Sequence, residues 1–201
     1  MNHSHLESIR SERRESSEVK IRVAEKLSSL IAEIANIAIQ SLKCGGKILF
    51  CGNGGSAADA QHLATEMVCR LELNRPAIAA LALTTDTSLI TAQSNDRGFE
   101  FIFSRQIEAL GKPGDVLIAI TTSGNSENVL KAVQTAKSRK MQTVAFSGMG
   151  GGKIINMVDY GLTVPSSNAQ RIQEAQITIG HIFCGLVEKE LVEQSKEEIS
   201  I

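Results

Sequence analysis

The stretch that most restricts what this chain can become is residues 47–70, KILFCGNGGSAADAQHLATEMVCR. An apolar run stops at Gly52-Asn53-Gly54-Gly55-Ser56, and a segment with helical spacing follows. A buried strand, a glycine-rich turn and a helix start in that order are the opening of an α/β unit. The helix N-terminus leaves backbone N–H groups free to meet an anion. Four more short apolar runs follow, at 77–83, 115–120, 142–147 and 160–164. Runs that lack polar alternation are strands covered on both faces, and helical patterns separate them. The pattern therefore predicts an α/β fold, a three-layer α/β/α sandwich on a five-stranded parallel sheet. Ligands of such sheets sit beyond the carboxyl ends of the strands. The turns after the first and third strands, GNGGS and TTSGNS, both lie at that edge.

The helices are read from periodicity. Residues 19–42 repeat apolar positions in steps of three and four, giving a long amphipathic helix with no strand before it. It exceeds what one small sheet needs for cover, so part of it is free to pack on another subunit. Residues 1–17 are polar without an apolar face and read as a frayed or partly helical tail carrying His3 and His5. Asp86 is a plausible cap for a helix over 88–93, which Ser94-Asn95-Asp96-Arg97-Gly98 interrupts before another helix at 99–110. Further helices cover 127–139 and 170–194. The organisation is a polar tail (1–17), one domain (18–195) and a polar C-terminal tail (196–201).

Bulk properties exclude several functions. With 201 residues and 42% hydrophobic content the chain buries one ordinary core. A net charge of −1 gives no basis for capturing nucleic acid or an acidic membrane surface, and one Tyr with no Trp provides no base-stacking platform. No run approaches the length of a membrane span. The polar, charged start is unlike a secretory leader, so a cytoplasmic location is expected. Cys44, Cys51, Cys69 and Cys184 show no paired spacing, and three lie in apolar stretches, which reads as buried reduced thiols.

GNGGS lacks the third glycine and the downstream acid of a dinucleotide fingerprint, and no Gly-Lys-Ser/Thr follows as in a P-loop. TTSGNS places Thr121, Thr122 and Ser123 together and Ser126 where a helix begins. Such hydroxyls suit a phosphate monoester, or they simply cap the helix. With no lysine in either turn, a sugar phosphate fits better than a nucleoside triphosphate with its magnesium. His62 and Glu66 stand four residues apart and share a helix face, a spacing that serves acid–base chemistry, metal binding or a plain surface contact. His181 lies mid-helix among apolar residues, as a core histidine or as a ligand, and Gln173 precedes it by eight residues, about 12 Å along the axis. Asn95 and Asp96 either stop a helix or reach substrate hydroxyls.

GNGGSAADAQH, the following Glu66, SNDRG, FSRQIEALGKPGDVLIAITTSGNSENVLKA and RIQEAQ with His181 together resemble the phosphoheptose isomerases, sugar-isomerase (SIS) domain proteins. The resemblance covers about residues 20–192 and implies a SIS, flavodoxin-like fold and conversion of sedoheptulose 7-phosphate to a glycero-manno-heptose 7-phosphate. It implies that Asn53, Gly54, Gly55 and Ser56 line the substrate site and that Thr121, Thr122, Ser123 and Ser126 hold the phosphate. Asn95 and Asp96 would contact the sugar, and Arg70 matches an active-site arginine. His62, Glu66, Gln173 and His181 match the family's zinc ligands, one zinc per subunit, and Glu66 with His181 match its acid–base pair. The implied assembly is a homotetramer with sites near subunit interfaces. Gln170 departs from the pattern, standing where an aspartate is common. A second reading comes from a non-enzymatic SIS relative that binds the replication initiator. Its SAANAQHF is similar to SAADAQHL here, but it lacks the counterparts of Glu66 and His181.

Overall fold

The computed structural model describes residues 3–199, with side chains over residues 4–193. In chain order the elements are α1 (His3–Lys43), β1 (Ile48–Gly52), α2 (Gly55–Val68), β2 (Ala80–Ala82), α3 (Thr87–Arg97), α4 (Ile102–Leu110) and β3 (Val116–Ile120). They continue with α5 (Glu127–Ser138), β4 (Gln142–Ser147), β5 (Tyr160–Thr163) and α6 (Ala169–Ile199). All strand pairings are parallel, in the order β2-β1-β3-β4-β5. This is the flavodoxin-like order, and its direction reverses between β1 and β3.

The period-two geometry of strands divides the core. Ile48, Phe50, Val116, Ile118, Val144 and Phe146 point to one face, where α1, α2 and α6 cover them. Leu49, Cys51, Leu117, Ala119 and Ala145 point to the other, against α4 and α5. The strands are apolar on both sides because each side has its own helical layer.

Four boundaries differ from the expectations. The last helix runs to Ile199 rather than 194, into the segment expected as a polar tail, of which residues 200–201 lie outside the described residues. The first helix begins at His3, not near residue 19. Residues 4–18 are mostly exposed, but Arg171 on α6 donates to the Glu12 carbonyl and pairs with its carboxylate at 3.2 Å, and Asn168 reaches Glu15. These contacts hold a polar segment helical without an apolar stripe. The strand expected over 77–83 is only three residues long: Ile48, the first residue of β1, pairs with Ala80 and donates to Ala79 O, while Ile78 N turns to Met67 O at the end of α2. Ser94, Asn95 and Asp96 do not interrupt α3. They form its last turn, which ends at Gly98 with φ 112°. The cysteines also divide differently: Cys51 and Cys184 are buried, Cys44 and Cys69 exposed, and all four are free. Burial pushes the thiols of Cys51 and Cys184 up to about 12, which leaves them unreactive. Among the described residues, no helix is long and apolar enough to cross a membrane.

Candidate active site

The crevice forms where the strand order reverses. The turns after β1 and β3 are neighbours there, and each feeds a helix N-terminus, α2 and α5. The two turns are tied by a reciprocal amide pair: Asn53 Nδ2 donates to Asn128 Oδ1, and Asn128 Nδ2 to Asn53 Oδ1, both at 2.8 Å. Asn53 thus spends its side chain on joining the loops. Asn128, buried at the start of α5, is a structural partner that the sequence did not reveal.

The 121–126 turn divides its hydroxyls. Thr121 is buried and its Oγ1 accepts from Gly124 N, while Ser123 Oγ accepts from Asn125 N. Asn125 Nδ2 donates to Ser123 O, and Asn125 Oδ1 accepts from Lys153 N. That side chain is a brace to the glycine-rich loop after β4. Ser126 is the N-cap of α5, yet its hydroxyl makes no capping bond. It remains free to meet an anion at the positive end of the helix. Thr122 is half-buried beside it.

α2 and α6 run side by side across the first face and bring the other candidates together. Gly54, with φ 56°, precedes α2, whose first turn holds Gly55 and the buried Ser56. A Cβ on Gly55 would lie 2.9 Å from Gln173 Nε2, so the glycine is what lets the α6 amide approach the start of α2. Two turns on, His62 Nε2 and His181 Nε2 are 2.7 Å apart with their rings edge-on, and Glu66 Oε1 is 3.3 Å from His62 Nε2. Which of the two nitrogens donates and which accepts depends on the tautomers of the rings. Glu66 is the shielded member, its side chain 16% exposed against 47% for His62.

The donor atoms of His62, Glu66 and His181 lie within 4.8 Å of one another. Two imidazoles and a carboxylate are the donor set of a three-ligand zinc site with an open position, so these residues fit the metal that the family resemblance implies. Gln173 lies at the start of α2, two turns earlier on α6.

Asp59, one turn before His62, is a site residue that the sequence reading missed. Its Oδ2 is buried without a hydrogen-bond partner. Burial raises its carboxyl above the ordinary range, and His62 and His181 pull it partly back. An acid on the 59, 62, 66 stripe was the available signal. Arg70 is exposed just beyond α2. Asn95 and Asp96 are not brought to the trio. Asn95 Nδ2 bonds Asp96 Oδ1, and Asp96 lines a separate groove of about 850 Å³ between α3 and α4, beside Asp86 and Arg105. That groove lacks the convergent acid–base groups of the crevice. Gln170, in the first turn of α6, is exposed.

Comparison with known proteins agrees with this geometry. The SIS domain family model matches residues 13–148. The phosphoheptose isomerase of Aquifex aeolicus is 51% identical over 190 residues, covering 94% of this chain and all of that one. That of Paramagnetospirillum magneticum is 57% identical over 155 residues, or 77% and 81% of the two chains. Among solved structures, the phosphoheptose isomerase of Francisella tularensis superposes with a TM-score of 0.89 at 41% identity, covering 92% of this chain and 98% of its own. That of Neisseria gonorrhoeae gives 0.87 at 44%, with the same coverage. With its sheet order, its hydroxyl turn at the switch point and relatives matched along nearly their full length, this chain belongs to the SIS domain family, among the phosphoheptose isomerases.

Proposed function

We propose that this protein is an aldose–ketose isomerase that converts sedoheptulose 7-phosphate to D-glycero-D-manno-heptose 7-phosphate, the first step towards a nucleotide-activated heptose. The observation that carries the reading is the meeting of Glu66 with His62 and His181 in the crevice that also holds the 121–126 turn. The relatives' names supply the substrate class.

The phosphate is taken by Ser126, Ser123, Thr122 and the N-terminus of α5, with Thr121 shaping the turn and Asn53–Ser56 forming the floor under the sugar. Glu66 removes a proton from C1 of the open ketose, giving an enediol, and returns it to C2. His181 takes the proton of the C1 hydroxyl and delivers one to the C2 oxygen, so C1 becomes the aldehyde and C2 the carbinol. One C–H and one O–H bond break and one of each form, so no redox partner is required. His62 Nε2, 2.7 Å from His181 Nε2, holds that ring in place. A zinc held by His62, Glu66 and His181, with Gln173 as a further donor, would polarise the substrate's oxygens when bound.

The assembly we propose is a homotetramer in the cytoplasm. Its support is the apolar groove of about 280 Å³ between α1 and α6, lined by Val23, Ile31, Ile179, Ile182 and Leu186, with Ile21 exposed nearby. Covering that face buries apolar surface that a monomer leaves wet. Asn95, Asp96 and Arg70 would be further contacts to the sugar phosphate. No observation favours the initiator-binding scaffold.

The test is turnover of sedoheptulose 7-phosphate by wild type, Glu66→Gln and His181→Ala, with metal content measured before and after chelation. Both variants should lose at least ~10²-fold in kcat, in line with the usual contribution of a positioned acid or base. Absence of turnover by pure wild type, with or without zinc, would refute the reading. Full activity at zero metal content would remove zinc from the chemistry.

A further inference from the structure

α2 and α6 meet at three levels: Gly55 with Gln173, His62 with His181, and the chain just beyond α2 with Glu188. The third level lies outside the crevice, and the chemistry above does not use it. Glu188 is 1% exposed. Its Oε1 accepts from Leu71 N at 3.0 Å and Arg75 Nε at 2.9 Å, and its Oε2 accepts from Glu72 N at 2.9 Å and Leu73 N at 3.1 Å. Arg75 has a side chain 3% exposed, and its other nitrogens turn to the end of α2. Nη2 donates to Glu66 O at 2.8 Å, and Nη1 to Met67 O at 2.8 Å and Pro76 O at 3.0 Å. Burial works against the Glu188 carboxylate, but the three backbone N–H groups and Arg75 outweigh it and hold its titration below the ordinary range.

We propose that the Glu188–Arg75 pair is a positioning unit for the isomerisation, fixing the height of α6 against α2 and with it the placement of His181 relative to the Glu66 carboxylate. Glu188 stands seven residues past His181, two helical turns along the same face of α6. Arg75 grips the backbone carbonyl of Glu66, the residue whose side chain does the work. The path from one member of the acid–base pair to the other is therefore short: His181, two turns of helix, Glu188, Arg75, Glu66. A slide of α6 along α2 would break several charged hydrogen bonds at once, whereas apolar contacts between the helices yield gradually. Buried ion pairs are poor sources of net stability but set register well. The inference rests on Glu66 and His181 being the acid–base pair.

Arg75→Lys keeps a cation opposite Glu188 and removes the fork to Glu66. Glu188→Gln keeps the shape and removes the charge, and Glu188→Asp shortens the reach. Each is assayed about 15 °C below its own Tm, with kcat and KM for sedoheptulose 7-phosphate read separately. The expected result is a ten- to hundredfold fall in kcat with KM within threefold of wild type, because the 121–126 turn is untouched. Folded variants with kcat within twofold of wild type would overturn the proposal, leaving the pair as a stability element. Failure of all three variants to fold would overturn it in favour of a folding role. Glu66→Gln is run in parallel. If it alone is inactive, the positioning role fails by itself; if it is fully active, the acid–base reading fails and the proposal falls with it.

Discussion

Gly180 precedes His181 and is the point where α6 comes close to α2. A Cβ placed there would lie 2.6 Å from both Cδ1 and Cδ2 of Leu63 and 3.1 Å from its Cγ. Carbon atoms rest at roughly 3.5–4.0 Å, so Gly180→Ala is short of room by about 1 Å. Leu63 is fully buried and both of its branches are in the way, so no rotamer offers an easy retreat. Overpacking of this kind costs about 1–3 kcal/mol, and the helix preference of Ala over Gly returns about 1 kcal/mol. The net loss is ~0–2 kcal/mol, or up to about 8 °C in Tm for a chain of this size. Activity should suffer more. The helices must separate beside the His62–His181 contact, and a misplacement of about 1 Å costs on the order of 10²-fold in rate. Leu63→Ala makes room for the new methyl while leaving a cavity that costs about 2–5 kcal/mol alone. The double variant should therefore be less stable than Gly180→Ala but more active. Thermal unfolding and turnover of sedoheptulose 7-phosphate at a temperature where every variant is folded give the two numbers. Wild-type kcat in Gly180→Ala, or no recovery in the double variant, would refute the idea that this contact sets the geometry of the site.

Other outcomes follow from single groups. Ser126→Ala removes a hydroxyl that serves no helix cap, so Tm should stay nearly constant while KM rises about 10- to 100-fold, the loss of one hydrogen bond to a charged group. A KM within twofold of wild type would take Ser126 out of the phosphate site. Glu188 and Asp159 both titrate below the ordinary range when folded, Glu188 through Leu71, Glu72, Leu73 and Arg75 overcoming its burial, Asp159 through Thr143 and Lys137 likewise. Their stabilisation is present above the unfolded carboxylate values near pH ~4 and is lost as pH falls through the lower folded values. Acid unfolding should therefore set in below pH ~4 and become less steep in Glu188→Gln. An unchanged slope would show that this carboxylate is not linked to folding.

The strands were legible because a parallel strand covered on both faces has no polar positions to confuse the pattern. β2 was overread for a reason no composition shows: its length is set by register against β1. Residues 4–18 were underread because the helix there is held by Arg171 and Asn168, which are more than 150 residues away. Within the site, the spacing of His62 and Glu66 is local and could be read directly. Their meeting with His181 depends on α6 crossing α2, and here the family resemblance, not periodicity, supplied the partner. Arg75 and Glu188 lie 113 residues apart, and nothing near either marks them as a pair. Asp59 stood in plain view on the right stripe, but only burial distinguishes it from a surface acid.

The sheet order explains why the last helix carries so much. The switch between β1 and β3 makes a crevice with two helix N-termini and a hydroxyl turn, enough to hold a phosphate but without an acid–base pair. Among the described residues, α2 brings His62 and Glu66 there from the first half of the chain. From β5 at the far edge, α6 returns across the face that α1 and α2 occupy, because its apolar side belongs to that core. On the way Gln176 Nε2 donates to the carbonyls of Thr121 and Phe146, fastening α6 to the carboxyl ends of β3 and β4. Gln173, His181 and Glu188 then meet the start, the middle and the end of α2 in turn. Under the proposed function, binding and catalysis are thus separable in this fold: the proposed phosphate turn follows β3, and the proposed acid–base pair meets only where α6 crosses α2.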